Sequence, residues 1–253
     1  MSSSKILLIT GATGTIGRRL VRHFLGNSLT VIALARRQVA LEALGREATG
    51  LPGTLVSVEV DLLNRDPHDV VVDLARRGAL PHYVVNCARD TANLSTSPDG
   101  WPTRQQWMAE FELGVVVPAE LTFGLASIAD TPLESVVNIA SMYGMVAVNP
   151  NLYGNSANTS PLHYGVAKAA LLHMTKEMAV RLARQNIRVN AVSYGGVEGC
   201  VSDAFKARYG SFSPMKRMLA IDEVPGAVDF LLSSAAGATT GHNLVADGGW
   251  TLW

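Results

Sequence analysis

The chain alternates short runs of consecutive apolar residues with longer stretches in which apolar positions return every three or four residues. Short apolar runs rich in Val, Ile and Leu mark strands buried on both faces, and the longer spacing marks helices with one buried side. Strands are therefore predicted over Lys5–Thr10 (KILLIT), Leu29–Ala35 (LTVIALA), Thr54–Val60, Tyr83–Asn86, Ser135–Ala140, Ile187–Val192 and Asn243–Ala246. Helices are predicted over Ile16–Leu25, Val39–Arg46, Pro67–Arg77, Gln105–Ala126, Tyr164–Arg184 and Asp222–Ser233. Pro118 falls inside the fourth of these, where its missing N–H should kink the helix or mark a boundary. Strands alternating with helices imply an α/β fold, a doubly wound parallel sheet of about seven strands with helices on both faces. No linker, repeat or low-complexity segment interrupts residues 1–253, so one domain is expected.

The turn after the first strand reads Thr10-Gly11-Ala12-Thr13-Gly14-Thr15-Ile16-Gly17 and opens a helix. That is the context of a dinucleotide-binding Rossmann fingerprint, in which glycines let the backbone approach a pyrophosphate held by the helix N-terminus. Gly11, Thr13, Gly14, Ile16 and Gly17 are the candidate contacts, although a plain tight turn would use the same glycines. At the end of the second strand the chain reads Ala35-Arg36-Arg37, with no carboxylate to hold a ribose 2′-hydroxyl. Two guanidiniums there suit a 2′-phosphate, or are simply solvated. NADP(H) is the expected cofactor, with NAD(H) as the alternative.

Tyr164 and Lys168 stand four residues apart in YGVAK, so on a helix both side chains leave the same face. A free phenol titrates near ~10, too high for ready proton exchange at neutral pH. An ammonium about 4 Å away at an effective dielectric of ~20 favours the phenolate by up to ~4 kcal/mol, about three pKa units. The pair is a candidate proton-transfer device.

Composition narrows the remaining classes. Lys+Arg and Asp+Glu balance at 21 each, so no net field draws in nucleic acid or an anionic membrane. The two cysteines, Cys87 and Cys200, show no CxxC or Cys/His ligand spacing, which argues against a metal site or disulfide framework. The opening MSSSKILLITG has too short an apolar run for a signal peptide or membrane span, so a cytoplasmic protein acting on a small molecule is expected.

These residues together resemble the short-chain dehydrogenases/reductases in their compact single-domain branch, and the resemblance covers essentially the whole chain. It rests on the glycine turn, Asp61 after the third strand, NCA at 86–88, Ser141 closing VVNIAS, the Tyr164/Lys168 pair, IRVNAVS at 187–193 and VADGG at 245–249. The resemblance implies that Ser141 orients the substrate oxygen, Tyr164 gives or takes its proton, and Lys168 holds the nicotinamide ribose. It also places Asp61 and Leu62 at the adenine, Asn86 and Ala88 along the cofactor channel, and Val197 on the nicotinamide side. A homotetramer or homodimer is implied as well.

Several positions depart from the pattern. The glycine turn also resembles the TGxxGxxG of a longer, nucleotide-sugar-modifying branch. Gly114 stands where many relatives carry an asparagine that anchors a relay water, so another group substitutes or the relay is weakened. Cys87 and Arg89 replace two residues of NNAG; Cys87 reads as a packing residue, and Arg89 either meets an anionic substrate or faces solvent. Tyr194-Gly195-Gly196 replaces the usual proline-glycine-proline. The segment Met142–His163, with Asn149, Asn151, Asn155, Asn158 and Ser160, is longer than usual and suits a polyhydroxylated ligand. With NCAR and the DGGWTLW ending, it resembles a subgroup tied to bacterial surface-sugar and flagellin modification. Asp203–Pro214 is expected to form a mobile substrate lid, with a helix pair packed on the core as the alternative. Trp250 and Trp253 are expected to form a buried tail at a subunit contact. The leading activity is interconversion of a secondary alcohol and a ketone. A non-catalytic nucleotide-binding regulator and a sugar epimerase or dehydratase remain as alternatives.

Overall fold

The computed structural model describes residues 5–94, 100–153, 161–199 and 201–253; Cys200, Asn155, Asn158 and Ser160 lie outside the described residues. Seven parallel strands form one sheet in the order β3-β2-β1-β4-β5-β6-β7. They are β1 (Ile6–Thr10), β2 (Thr30–Ala35), β3 (Thr54–Glu59), β4 (Tyr83–Asn86), β5 (Ser135–Ser141), β6 (Arg188–Tyr194) and β7 (Asn243–Ala246). Each lies within two residues of its expected bounds. The doubly wound Rossmann architecture follows from the alternation along each strand. Leu7 and Ile9 of β1 join one apolar core with Leu20 and Phe24 of α1 (Thr15–Gly26), Leu44 of α2 (Gln38–Glu47) and Val228 of the later helix Val224–Leu232. Leu8 enters the opposite core with Val71 of α3 (Pro67–Arg76) and Leu121 of the helix Val117–Ala126. Both faces of the sheet are thus covered, as an all-parallel sheet requires.

The fourth helix divides earlier than Pro118 alone dictates. α4 (Arg104–Phe111), capped by Thr103 and Gln106, runs into a π-helical turn at Glu112–Val116 before α5 (Val117–Ala126) begins. In regular α-helix the Pro118 ring would press on the carbonyl of Gly114, four residues before it. The wider turn relieves that contact, and Val117 donates to the Glu112 carbonyl five residues back. Pro118 then sits in the first turn of α5, where a missing N–H costs little. α6 (Leu162–Leu182) starts two residues before the expected position, and its chain ends on Asn186 in the left-handed region at φ 58°.

The segment expected to be a lid is a helix packed on the core. α7 (Asp203–Phe212) is capped by Ser202, and its Tyr209 is fully buried, with the ring stacked on Trp250 at 4.4 Å. The Tyr209 hydroxyl accepts the Gly196 N–H at 2.7 Å, and the Arg208 side chain donates to the Leu152 carbonyl at 3.1 Å. Its Phe205, Tyr209 and Phe212 join one apolar cluster with Trp250, so the aromatic spacing marks packing. The tail divides in two. Trp250 is buried, whereas Trp253 is 77% exposed and only donates its indole N–H to the Phe212 carbonyl. α8 (Val224–Leu232) completes the helices named here, and no helix among the described residues is long and apolar enough to cross a membrane.

Trp250→Ala is expected to cost about 3–5 kcal/mol by removing the stack under Tyr209. Urea unfolding monitored by circular dichroism reads this directly. A midpoint equal to that of the parent protein would show that α7 is not anchored through this contact.

Candidate active site

The sheet order makes β1 the switch point: the chain leaves its neighbours β2 and β4 toward opposite sides, opening a crevice at the carboxyl ends of the strands. The β1–α1 turn lies in that crevice with its backbone pressed against two neighbours. Gly11 has φ +64°, and a Cβ there would lie 2.7 Å from the Ala88 Cα. At Gly17 a Cβ would lie 2.2 Å from the Gly11 carbonyl oxygen. The Thr10 hydroxyl fixes the same junction, accepting the N–H groups of Cys87 and Ala88 at 3.0 Å each. Gly14 caps α1 with no side chain, and no acid stands in the first turn. N–H groups at that end remain available to an anionic ligand.

A cavity of about 390 Å³ begins at this turn and reaches Tyr164 and Lys168. It is lined by Gly11, Thr13, Gly14, Ile16 and Gly17, and also by Arg36, Arg37, Asp61, Leu62 and Ala88. Asp61 is engaged locally, accepting from the Leu63 N–H at 3.1 Å and the Asn64 amide at 2.8 Å. Arg36 lines the cavity with its side chain 47% exposed, and its Nη1 donates to Oδ2 of Asp90 at 2.5 Å. Two expected channel residues are absent from the lining. Asn86 is buried in the sheet, where its amide donates to Asn138 at 2.8 Å, and Asn138 in turn donates to Thr175 of α6 at 3.0 Å. Val197 pairs with Leu219 and packs on the core.

At the far end, Lys168 is buried and its Nζ donates to the Ile139 carbonyl at 2.8 Å, which pins α6 to β5. Its ammonium lies 5.8 Å from the centroid of the Tyr164 ring. The Arg89 guanidinium sits 4.2 Å from the same centroid, so this residue covers the tyrosine rather than facing solvent alone. Ser141 ends β5, and its hydroxyl accepts the Tyr143 N–H at 3.2 Å. The turn behind it packs on α6: a Cβ at Gly144 would lie 2.8 Å from the Lys168 carbonyl carbon, and one at Gly165 would lie 3.0 Å from the Tyr143 oxygen. This contact carries Ser141 to the same end of α6 as Tyr164, although Ser141 is outside the cavity lining.

Glu110 went unrecognised in the sequence. It is buried at the end of α4, and its Oε1 lies 3.9 Å from where a Gly114 Cβ would stand. Burial pushes its carboxyl up, against the opposing pull of Lys168, Arg89 and His163. The position left without a side chain at Gly114 is thus flanked by the Glu110 carboxyl group. Only the four-residue spacing from Gly114 signalled it. Cys87 packs on the core and also lines the cavity; burial pushes its thiol up to about 11, which disfavours the nucleophilic thiolate at neutral pH. In the long loop after β5 the Tyr143 and Tyr153 hydroxyls share a hydrogen bond of 2.7 Å. The Asn149 amide oxygen is used internally, accepting from the Asn151 N–H.

Residues 11–251 match the family described as enoyl-(acyl carrier protein) reductase. The 3-oxoacyl-[acyl-carrier-protein] reductase FabG of Thermotoga maritima is 30% identical over 261 residues, 98% of each chain. The chain belongs to the short-chain dehydrogenase/reductase family. The post-translational flagellin modification protein A of Campylobacter coli is 27% identical over 264 residues, the full length of both. A short-chain dehydrogenase from Leptospira borgpetersenii serovar Hardjo-bovis with bound NAD+ superposes with a TM-score of 0.84 at 28% identity, covering 98% of this chain and 93% of that one. Membership makes this an NAD(P)-dependent oxidoreductase of the short-chain type, and its own residues fit such a cofactor. Gly11 and Gly17 of the glycine turn have no room for side chains, and the α1 N-terminus is uncapped.

The two turn glycines should separate on substitution. Gly17→Ala is expected to lose about 1–3 kcal/mol of stability, because the new methyl meets a backbone oxygen that cannot move aside. Gly14→Ala, whose Cβ would stand 3.4 Å from that oxygen, should cost less than ~1 kcal/mol. Chemical denaturation of both variants checks this; equal losses would contradict the close-approach argument.

Proposed function

We propose that the protein is an NADP(H)-dependent oxidoreductase that interconverts a secondary alcohol and a ketone on a sugar-like substrate, with 1–253 acting as one dinucleotide-binding domain. The observation that carries the reading is Tyr164 beside Lys168 on one face of α6, at the end of a cavity that begins at the glycine turn. When bound, the nicotinamide supplies or accepts the hydride. Tyr164 moves the proton on the substrate oxygen, and Ser141 orients that oxygen from the end of β5. Lys168, held by the Ile139 carbonyl, presents a fixed positive charge to Tyr164 and to the cofactor ribose. Arg36 and Arg37, in place of a carboxylate at the end of β2, favour the 2′-phosphate. Asp61 and Leu62 line the adenine end, and Ala88 the middle of the channel.

A polyol or sugar ketone is supported by the long amide-rich loop after β5 and by the likeness to a flagellin modification protein. Short-chain acyl ketones are the second substrate class, supported by the likeness to an acyl-carrier-protein reductase. A homo-oligomer is in keeping with Leu252 and Trp253 at the C-terminus, which are 79% and 77% exposed on the single chain.

Tyr164→Phe is expected to keep cofactor affinity within about twofold, read by fluorescence titration, while turnover of any active ketone falls by at least ~100-fold. Turnover retained at the parental rate would remove Tyr164 from the chemistry.

A further inference from the structure

The end of the cavity that should receive a 2′-phosphate is lined by two cations, Arg36 and Arg37, and by the Asp61 carboxylate. Arg36 is in addition held by a carboxylate from the loop after another strand. Asp90, from the loop after β4, bonds Arg36 through Oδ2 at 2.5 Å and accepts the Ala92 N–H through Oδ1 at 3.1 Å. The Asp90 side chain is 11% exposed and that of Arg36 is 47% exposed, so the arginine comes to an anchored carboxylate rather than the reverse. Burial pushes the Asp90 carboxyl up, but the hydrogen bonds from Arg36 and the Ala92 N–H, with the Arg36 charge, more than offset this and hold it below the ordinary range. Glu59, at the end of β3, accepts the N–H of Gln38 at 3.2 Å, using a donor at the start of α2. Among the described residues Arg37 has no ion pair.

A phosphate and a carboxylate compete for the same planar fork of donors. We infer that Asp90 is a selectivity residue that competes with the cofactor's 2′-phosphate for Arg36. NAD(H) enters with the Arg36–Asp90 pair closed, whereas NADP(H) gains Arg36 only by exchanging one anion for another. The preference for NADP(H) that two arginines would otherwise confer is therefore reduced, and NAD(H) competes with NADP(H) for the site. The inference rests on the assignment of Arg36 to the 2′-phosphate.

Fluorescence titrations with NADPH and with NADH, on the parent protein and on Asp90→Asn, Asp90→Ser, Arg36→Ala and the Arg36→Ala/Asp90→Asn double variant, test it. Asp90→Asn is nearly isosteric and can still accept the Ala92 N–H; Asp90→Ser guards against an effect peculiar to the amide. Both should tighten NADPH about fivefold and change NADH less than about twofold, the scale of a partly exposed ion pair. The double variant should show no gain, because Asp90 acts through Arg36. Raising ionic strength should shrink the gain. Equal tightening of both cofactors would overturn the inference, leaving the pair as a bar across the adenosine site. No change in either would overturn it as well. If Arg36→Ala leaves NADPH affinity untouched, the 2′-phosphate assignment itself falls, a failure distinct from loss of the Asp90 effect alone.

Discussion

The site depends on one close approach between backbones. The Gly11 carbonyl sits where a Cβ on Gly17 would have to be, and Gly11 itself lies against the Ala88 Cα. Absence of side chains at these points lets α1 start directly over the end of β1 and lets the loop after β4 close on it. The Thr10 hydroxyl then holds that loop through two backbone N–H groups. This junction sets the uncapped start of α1 and the position of Ala88, and with it where the loop carrying Arg89 and Asp90 leaves the sheet.

The Tyr164 end of the cavity is positioned by a second, unrelated device. Lys168 is a buried ammonium whose partner is a strand carbonyl, and that bond locks the register of α6 against β5. Gly144 and Gly165 let the turn after Ser141 rest on the helix. A parallel chain of buried amides, Asn86 to Asn138 to Thr175, ties β4, β5 and α6 together below the pocket. The Asn86 and Asn138 amides each donate to a local acceptor, which lowers the cost of burying them, while the Asn86 Oδ1 has no partner among the described residues.

Charge is distributed with little surplus. Arg36 is matched by Asp90, Arg89 covers the Tyr164 face with buried Glu110 behind, and the whole chain balances at 21 cations and 21 anions. Selectivity at such a site comes from which pairs can be exchanged for ligand oxygens, not from a net positive field.

The strands, most of the helices, the glycine turn and the Tyr164/Lys168 pair were legible in the amino-acid sequence because each is a local pattern. Periodicity, a turn that needs glycine, and two side chains one helical turn apart are set by neighbours on the chain. What tertiary structure alone decided involves partners far apart. Arg36 meets Asp90 54 residues away, and Asn86 turns to Asn138 52 residues away. Tyr209 stacks on Trp250, which makes a core helix of an expected lid and leaves Trp253 outside. Composition names such groups but carries no information on their distances. Side-chain type states what a residue can bond, and only packing states which of its possible partners comes within 3 Å.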